Sequence, residues 1–201
     1  MKAKKKRIRA VLVFLTIIAS VLYFLLVINI KTGSTVESTL SRMYSTRINL
    51  SLSGMECFPN SVVASEDVNT INSTSLYKLI VFTDSTECTP CNISRIKDWN
   101  DVAQDVFSDY GDNAKLIFIF SPPQKRIQEI RKIVKESSEG WTIYLDTANV
   151  FQNANKQIPE NRLFHTFLLN EDNEILCVGS PLYNDNMRHI YKKILKEGNS
   201  H

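Results

Sequence analysis

The most restrictive feature of this chain is a pair of cysteines set at a junction. Tyr77-Lys78-Leu79-Ile80-Val81-Phe82-Thr83 is short, apolar and partly β-branched, which predicts a buried strand. A turn-like segment, Asp84-Ser85-Thr86-Glu87, leads into Cys88-Thr89-Pro90-Cys91. Beyond it Ile96, Trp99, Val102, Ala103, Val106 and Phe107 recur in steps of three and four, which predicts an amphipathic helix. A cysteine at a helix N-terminus feels the positive end of the helix dipole and unpaired backbone N–H groups. Both favour the thiolate, the attacking form of the thiol. The spacing of three places the second sulfur on the same face, within reach of a disulfide. Pro90 falls in the first turn, where its missing N–H costs little.

The elements after this junction continue the alternation. Lys115 to Phe120 reads as a second buried strand, ended by Pro122 and Pro123. Ile127, Ile130, Ile133 and Val134 mark a helix, Trp141 to Leu145 a third strand, and Asp146 to Asn155 a short helix. Thr166-Phe167-Leu168-Leu169 and Glu174-Ile175-Leu176-Cys177-Val178 read as strands joined by the turn-rich Asn170 to Asn173, which suits a hairpin. Met187, Ile190, Tyr191, Ile194 and Leu195 give a last helix. Strands alternating with helices predict an α/β fold with helices on both faces of a mainly parallel sheet. The closing hairpin adds antiparallel strands, so the central sheet is mixed.

Charge bears on compartment rather than on partner. The 201 residues carry a net charge of +3, but residues 1–30 hold six Lys and Arg and no acid, leaving a net of −3 on the rest. A basic tail on a mildly acidic domain excludes the basic face expected of a nucleic-acid-binding fold. The tail, residues 1–9, precedes Ala10 to Ile30, where only Thr16, Ser20 and Asn29 are not apolar. A helix of that length rises about 32 Å, matching a bilayer core. A cleaved signal peptide has a shorter apolar stretch and an A-x-A-like site. The reading is therefore an uncleaved transmembrane anchor over 10–30, with a long cleaved signal as the alternative. The positive-inside rule keeps the tail cytoplasmic and puts the chain beyond Ile30 on the far side. In a bacterium that means a single-pass inner-membrane protein whose domain is periplasmic or extracellular, where disulfides persist.

Residues 31–54 are rich in Ser and Thr and read as a spacer, with Arg47 to Leu52 alternating like an edge strand. Residues 55–198 form the expected domain, best supported over 75–197; residues 55–75 carry no clear element. Asn49, Asn72 and Asn92 begin glycosylation sequons that are common by chance, and a glycan on Asn92 would obstruct the cysteines.

With these residues in view, the chain resembles the thioredoxin superfamily, specifically the membrane-anchored, exported thiol–disulfide oxidoreductases of the TlpA/ResA type (AhpC/TSA-related). The resemblance rests on Leu79 to Phe82 with Cys88-Thr89-Pro90-Cys91, and on Thr166-Phe167-Leu168-Leu169-Asn170-Glu171-Asp172-Asn173-Glu174-Ile175. The strand and helix around 141–155 look like that group's insertion. The resemblance implies that Cys88 is the exposed nucleophile and Cys91 the buried resolving cysteine. It implies a thioredoxin-like protein-disulfide reductase with no cofactor, acting on exported proteins with disulfides or thiols and reset by a membrane thiol reductant.

The chain departs from the family at three positions. Glu87 stands where a tryptophan usually precedes the first cysteine, and a carboxylate there opposes the thiolate. Phe82 aligns with a buried acid, leaving Asp84 or a water to move a proton. Phe164 occupies the place of a cis-proline that helps dock substrate, and Pro159 lies five residues earlier. His165 then falls opposite the cysteines, where it either lowers the Cys88 pKa, joins a metal site or, most plainly, caps backbone groups as a surface-loop histidine. Metal sites usually need three or four convergent ligands, so no metal is expected. Cys177 in an apolar strand reads as core filler, and Cys57 as a free thiol or one with an unseen partner. Two other function classes stay open: a redox-inactive binding module, and a metallochaperone using Cys88, Cys91 and His165.

Overall fold

The computed structural model describes residues 2–58, 75–137 and 140–198, with side chains described except at 2–13, 27–34 and 112. The chain divides into two compact units, Met1–Arg42 and Met43–His201.

The first unit is helical. Helix α1 runs Lys2–Tyr44 and contains the apolar run. Every described side chain from Phe14 to Leu26 is exposed. Among the described residues no helix is long and apolar enough to cross a membrane. The side chains at both ends of the run, 10–13 and 27–30, lie outside those described.

The second unit is a mixed α/β fold around six strands: β1 Glu56–Phe58, β2 Tyr77–Thr83, β3 Ala114–Phe120, β4 Ile143–Leu145, β5 Thr166–Leu169 and β6 Ile175–Val178. Their order across the sheet is β1-β4-β3-β2-β5-β6. β2 runs parallel to β3 in a full register from Tyr77 opposite Ala114 to Thr83 opposite Phe120, and β3 runs parallel to β4. β5 is antiparallel to both β2 and β6, as the closing hairpin requires. Asn173 takes a left-handed φ of 62° in the hairpin turn, and the Asn170 side-chain oxygen accepts from the Glu174 N–H at 2.9 Å.

Both faces of the sheet are covered, which explains why its strands read as continuous apolar runs rather than alternating ones. On one face Leu79, Phe118, Phe120 and Leu168 pack with Ile93, Trp99, Ile130 and Tyr191 from the helices. Alternation sends Ile80, Phe82, Ile119 and Phe167 to the other face. There the Phe82 ring meets Phe151, with centroids 5.1 Å apart. The remaining helices are α2 Thr89–Ser94, α3 Trp99–Val102, α4 Ile127–Ser137, α5 Val150–Ala154 and α6 Asp185–Gly198.

Three local outcomes differ from the sequence reading. The single helix expected after the cysteines is segmented: a 3-10 turn at Ile96–Asp98 separates α2 from α3, and a π turn follows at Ala103–Phe107. Ile93, Ile96, Trp99 and Val102 are spaced by threes, and the tighter 3-10 turn keeps such a series on one face. The step from Val102 to Val106 is four, where the backbone widens again. The second difference concerns the expected spacer. α1 continues through Tyr44, after which Ile48, Leu50 and Leu52 are buried while Asn49 and Ser51 are exposed. The alternation is real, but the segment forms no full strand: it meets the β5–β6 hairpin through an isolated bridge from Arg47 to Glu174 and a bond from the Ile48 N–H to the Asn173 carbonyl at 2.9 Å. Third, β1 forms an edge strand antiparallel to β4 from residues that carried no clear signal. The Asn72 sequon lies outside the described residues.

A buried asparagine holds the 47–52 segment. The Asn155 side chain accepts from the Asn49 N–H at 2.7 Å and donates to the Asn49 carbonyl at 2.9 Å and the Phe151 carbonyl at 2.8 Å. Replacing Asn155 by alanine removes these bonds, together with one accepted from the Gln157 amide, and lowers stability by about 2–3 kcal/mol, because buried and part-buried main-chain groups lose their partners. Asn49→Ala keeps the main-chain bonds and costs less than about 1 kcal/mol. Urea unfolding midpoints of the two variants check the contrast.

Candidate redox site

The C-terminal end of β2 positions the site. Asp84 follows it, buried, with one carboxylate oxygen accepting from the Thr86 N–H at 2.8 Å and the Thr86 hydroxyl at 2.7 Å. This Asx-type turn fixes the loop that carries Glu87 to the start of α2. Asp84 therefore organises the loop. Asn92 of α2 ties the helix back to the strand, its amide donating to the Thr83 hydroxyl at 3.0 Å.

Cys88 is the N-cap residue of α2, and Pro90 lies in the first turn as expected. Cys88 and Cys91 are joined in a disulfide with Cα atoms 5.3 Å apart. Both cysteine residues are exposed. The resemblance implied a buried Cys91, so this is a correction. Thr89 and Ile93 take the inward positions of this short helix, which turns Cys91 outward beside Cys88.

His165 is the second half of the site. It is buried, at 2% exposure, rather than lying on a surface loop. Its main chain is held by Phe82, whose N–H donates to the His165 carbonyl at 2.8 Å, and its ring packs on the Phe82 ring at 5.0 Å. Ring Nδ1 lies 2.7 Å from a Glu87 carboxylate oxygen, and Nε2 lies 2.8 Å from the Pro159 carbonyl. A carbonyl can only accept, so Nε2 carries a proton. The carboxylate on Nδ1 favours a proton there too, giving an imidazolium. Burial works against that charge, but the hydrogen bonds to Glu87 and Pro159, with the negative charges of Glu87 and Asp84, outweigh it and raise the pKa above the usual histidine value. The caps and the charge pair thus fall on one ring. Both ring nitrogens are engaged, and among the described residues no three His, Cys, Asp or Glu side chains are grouped to hold a metal ion.

The Glu87–His165 pair joins the loop before Cys88 to the segment before β5. Phe164 is buried there, and no cis peptide bond occurs among the described residues. The pair also neutralises the carboxylate that would oppose a Cys88 thiolate. Sequence reading placed Glu87 and His165 near the cysteines without joining them, because nothing in local spacing links positions 78 residues apart. It missed Arg95 and Arg162, which line a cleft of about 130 Å³ with Glu87, Asn92 and His165.

The other two cysteines stand apart and unpaired. Cys177 is buried, which pushes its thiol up to about 11, as suits core filler. Cys57 is half-buried on β1 opposite Tyr144, and burial raises its pKa as well.

A central mixed sheet with the Cys-x-x-Cys pair opening the helix after its middle strand is a thioredoxin-like arrangement. No protein-family model matches the sequence, and no curated protein matches it. Solved structures similar to this chain include a thioredoxin-like protein from Bacteroides caccae, at 14% identity and a TM-score of 0.43 over 71% of this chain. This chain spans about half of that one, 47%. The thioredoxin domain of a thiol-disulfide oxidoreductase from Bacteroides vulgatus is 18% identical, with a TM-score of 0.40 over 63% of this chain and 82% of the other. PrxQ from Xylella fastidiosa is 12% identical, with a TM-score of 0.47 over 76% of this chain and 95% of the other.

The raised pKa of His165 has a consequence for stability. A group whose pKa rises on folding contributes fully below its unfolded value, about 6.5, and the contribution is lost as pH climbs through the higher folded value. Stability of the wild-type chain therefore falls as pH rises from about 6.5 through the higher folded value, relative to His165→Gln, whose profile is flatter there. Urea midpoints collected for both chains from pH 6 to pH 9 check this; parallel profiles would contradict the pairing.

Proposed function

We propose that this protein is a membrane-anchored thiol–disulfide oxidoreductase that reduces disulfides in exported proteins outside the cytoplasm. The observation that carries the reading is the exposed Cys88–Cys91 disulfide at the start of α2, where substrate sulfurs can approach it. In the reduced protein the Cys88 thiolate attacks one sulfur of a substrate disulfide. The substrate S–S bond breaks, its departing sulfur takes a proton, and a mixed disulfide forms. The Cys91 thiolate then attacks the Cys88 sulfur and releases the second substrate thiol. Two electrons have passed to the substrate, and Cys88–Cys91 is oxidised. A membrane dithiol must return those electrons before the next cycle.

The chain's own groups support each part. The α2 N-terminus favours the Cys88 thiolate. The imidazolium of His165 offsets the Glu87 charge beside it, so the carboxylate does not undo that effect. The basic tail and the apolar run of α1 support the anchor and the extracytoplasmic side, and oxidising compartments suit a redox pair at the surface. The reducing direction rests on the resemblance to the TlpA/ResA type.

Cys88→Ser lowers insulin-disulfide reduction by at least about a hundredfold. Cys91→Ser instead accumulates a mixed disulfide that a non-reducing gel shows and added reductant removes. Retention of wild-type turnover by Cys88→Ser would sink the assignment. A potential for the pair near about −270 mV fits a reductant, and one near about −120 mV reverses the direction.

A further inference from the structure

We propose that the cleft beside the disulfide seats an acidic side chain of the protein substrate, close to the substrate's own disulfide. This rests on the exchange reaction above and names the substrate class. The cleft is lined by Glu87 and Asn92, the chain neighbours of Cys88 and Cys91, although neither cysteine lines it. Its size of about 130 Å³ is close to the cavity of ~150 Å³ that holds a benzene-sized group, so it takes one side chain rather than a folded segment.

Charge selects the occupant. Four charged groups line the cleft: Glu87, His165, Arg95 and Arg162. Glu87 and His165 neutralise each other at 2.7 Å. The Asp84 and Asp98 carboxylates do not line the cleft: Asp84 is buried and accepts from Thr86, and Asp98 accepts from the Tyr183 hydroxyl. Arg95 and Arg162 are exposed, and neither guanidinium has a hydrogen bond or ion pair among the described residues. Among the residues lining the cleft, two positive charges therefore stand without an ion-pair partner, within a chain whose residues after 30 sum to −3. A guanidinium presents parallel N–H donors that match a carboxylate. Val81, Phe118 and Leu182 supply apolar wall for the methylene stem of a glutamate.

Two disulfide-linked peptides, identical except for Glu or Lys beside the cysteine, test the assignment against the reduced full chain. The Glu peptide reacts about tenfold faster at low salt, and the ratio shrinks as ionic strength screens the charges. In the Arg95→Gln/Arg162→Gln variant the ratio falls to about one. A second measurement does not need exchange: calorimetric titration of the oxidised full chain with the Glu peptide carrying serine for cysteine. Binding that disappears in the double variant supports the cleft even where no exchange occurs, which would fail the redox reading alone. Exchange with equal rates for both peptides, a ratio unchanged in the double variant, or no binding of the serine peptide overturns the proposal and leaves the redox reading standing.

Discussion

Strand β2 is the constraint on which the rest of this fold depends. It is paired along both edges, parallel to β3 and antiparallel to β5, and buried on both faces. A strand held this way has no freedom to slip, because a one-residue shift would exchange the side chains of its two faces. Its end is therefore a fixed point. The Asp84 turn, the start of α2 and the main chain of His165 are all hung from it, the last through the Phe82 N–H. A reactive pair placed there is set by the sheet core rather than by loop packing.

The charge pair at that fixed point resolves a conflict in the sequence. A carboxylate next to the first cysteine works against the thiolate, and the helix N-terminus works for it. Glu87 turns to His165 instead of standing open to solvent, so its charge is spent inside the fold. Holding two ions out of water is costly unless each keeps its hydrogen bonds. Here the ring keeps both: one nitrogen on Glu87, the other on the Pro159 carbonyl. The Pro159 carbonyl thus caps the histidine that follows Phe164.

How far the sequence could be read follows from what each element depends on. β2, β3, β5 and β6 were legible because burial on both faces leaves short apolar runs between turn residues. The Cys-x-x-Cys pair was legible because its chemistry needs only local spacing. The segmentation of the helix after it was not, although the spacing by threes of Ile93, Ile96, Trp99 and Val102 carried the signal. β1 was illegible because three residues give no period, and its strand state comes from pairing with β4. Arg95 and Arg162 were illegible for another reason: an exposed arginine looks the same in sequence whether it faces bulk water or a cleft.

The outward turn of Cys91 changes what the pair presents to its surroundings. With a buried second cysteine, only one sulfur of the disulfide is open to attack, and the order of events is imposed by access. With both residues exposed, access no longer distinguishes them. The distinction then rests on the helix N-terminus, which acts on the N-cap sulfur of Cys88 more than on a sulfur one turn further in, since the field of unpaired N–H groups falls off within the first turn. It rests also on the neighbours each sulfur has in the chain, with the neutralised Glu87 beside Cys88. In the exchange reaction proposed above, electrostatics then takes the part that burial would otherwise play, through the helix N-terminus and the Glu87–His165 pair beside Cys88.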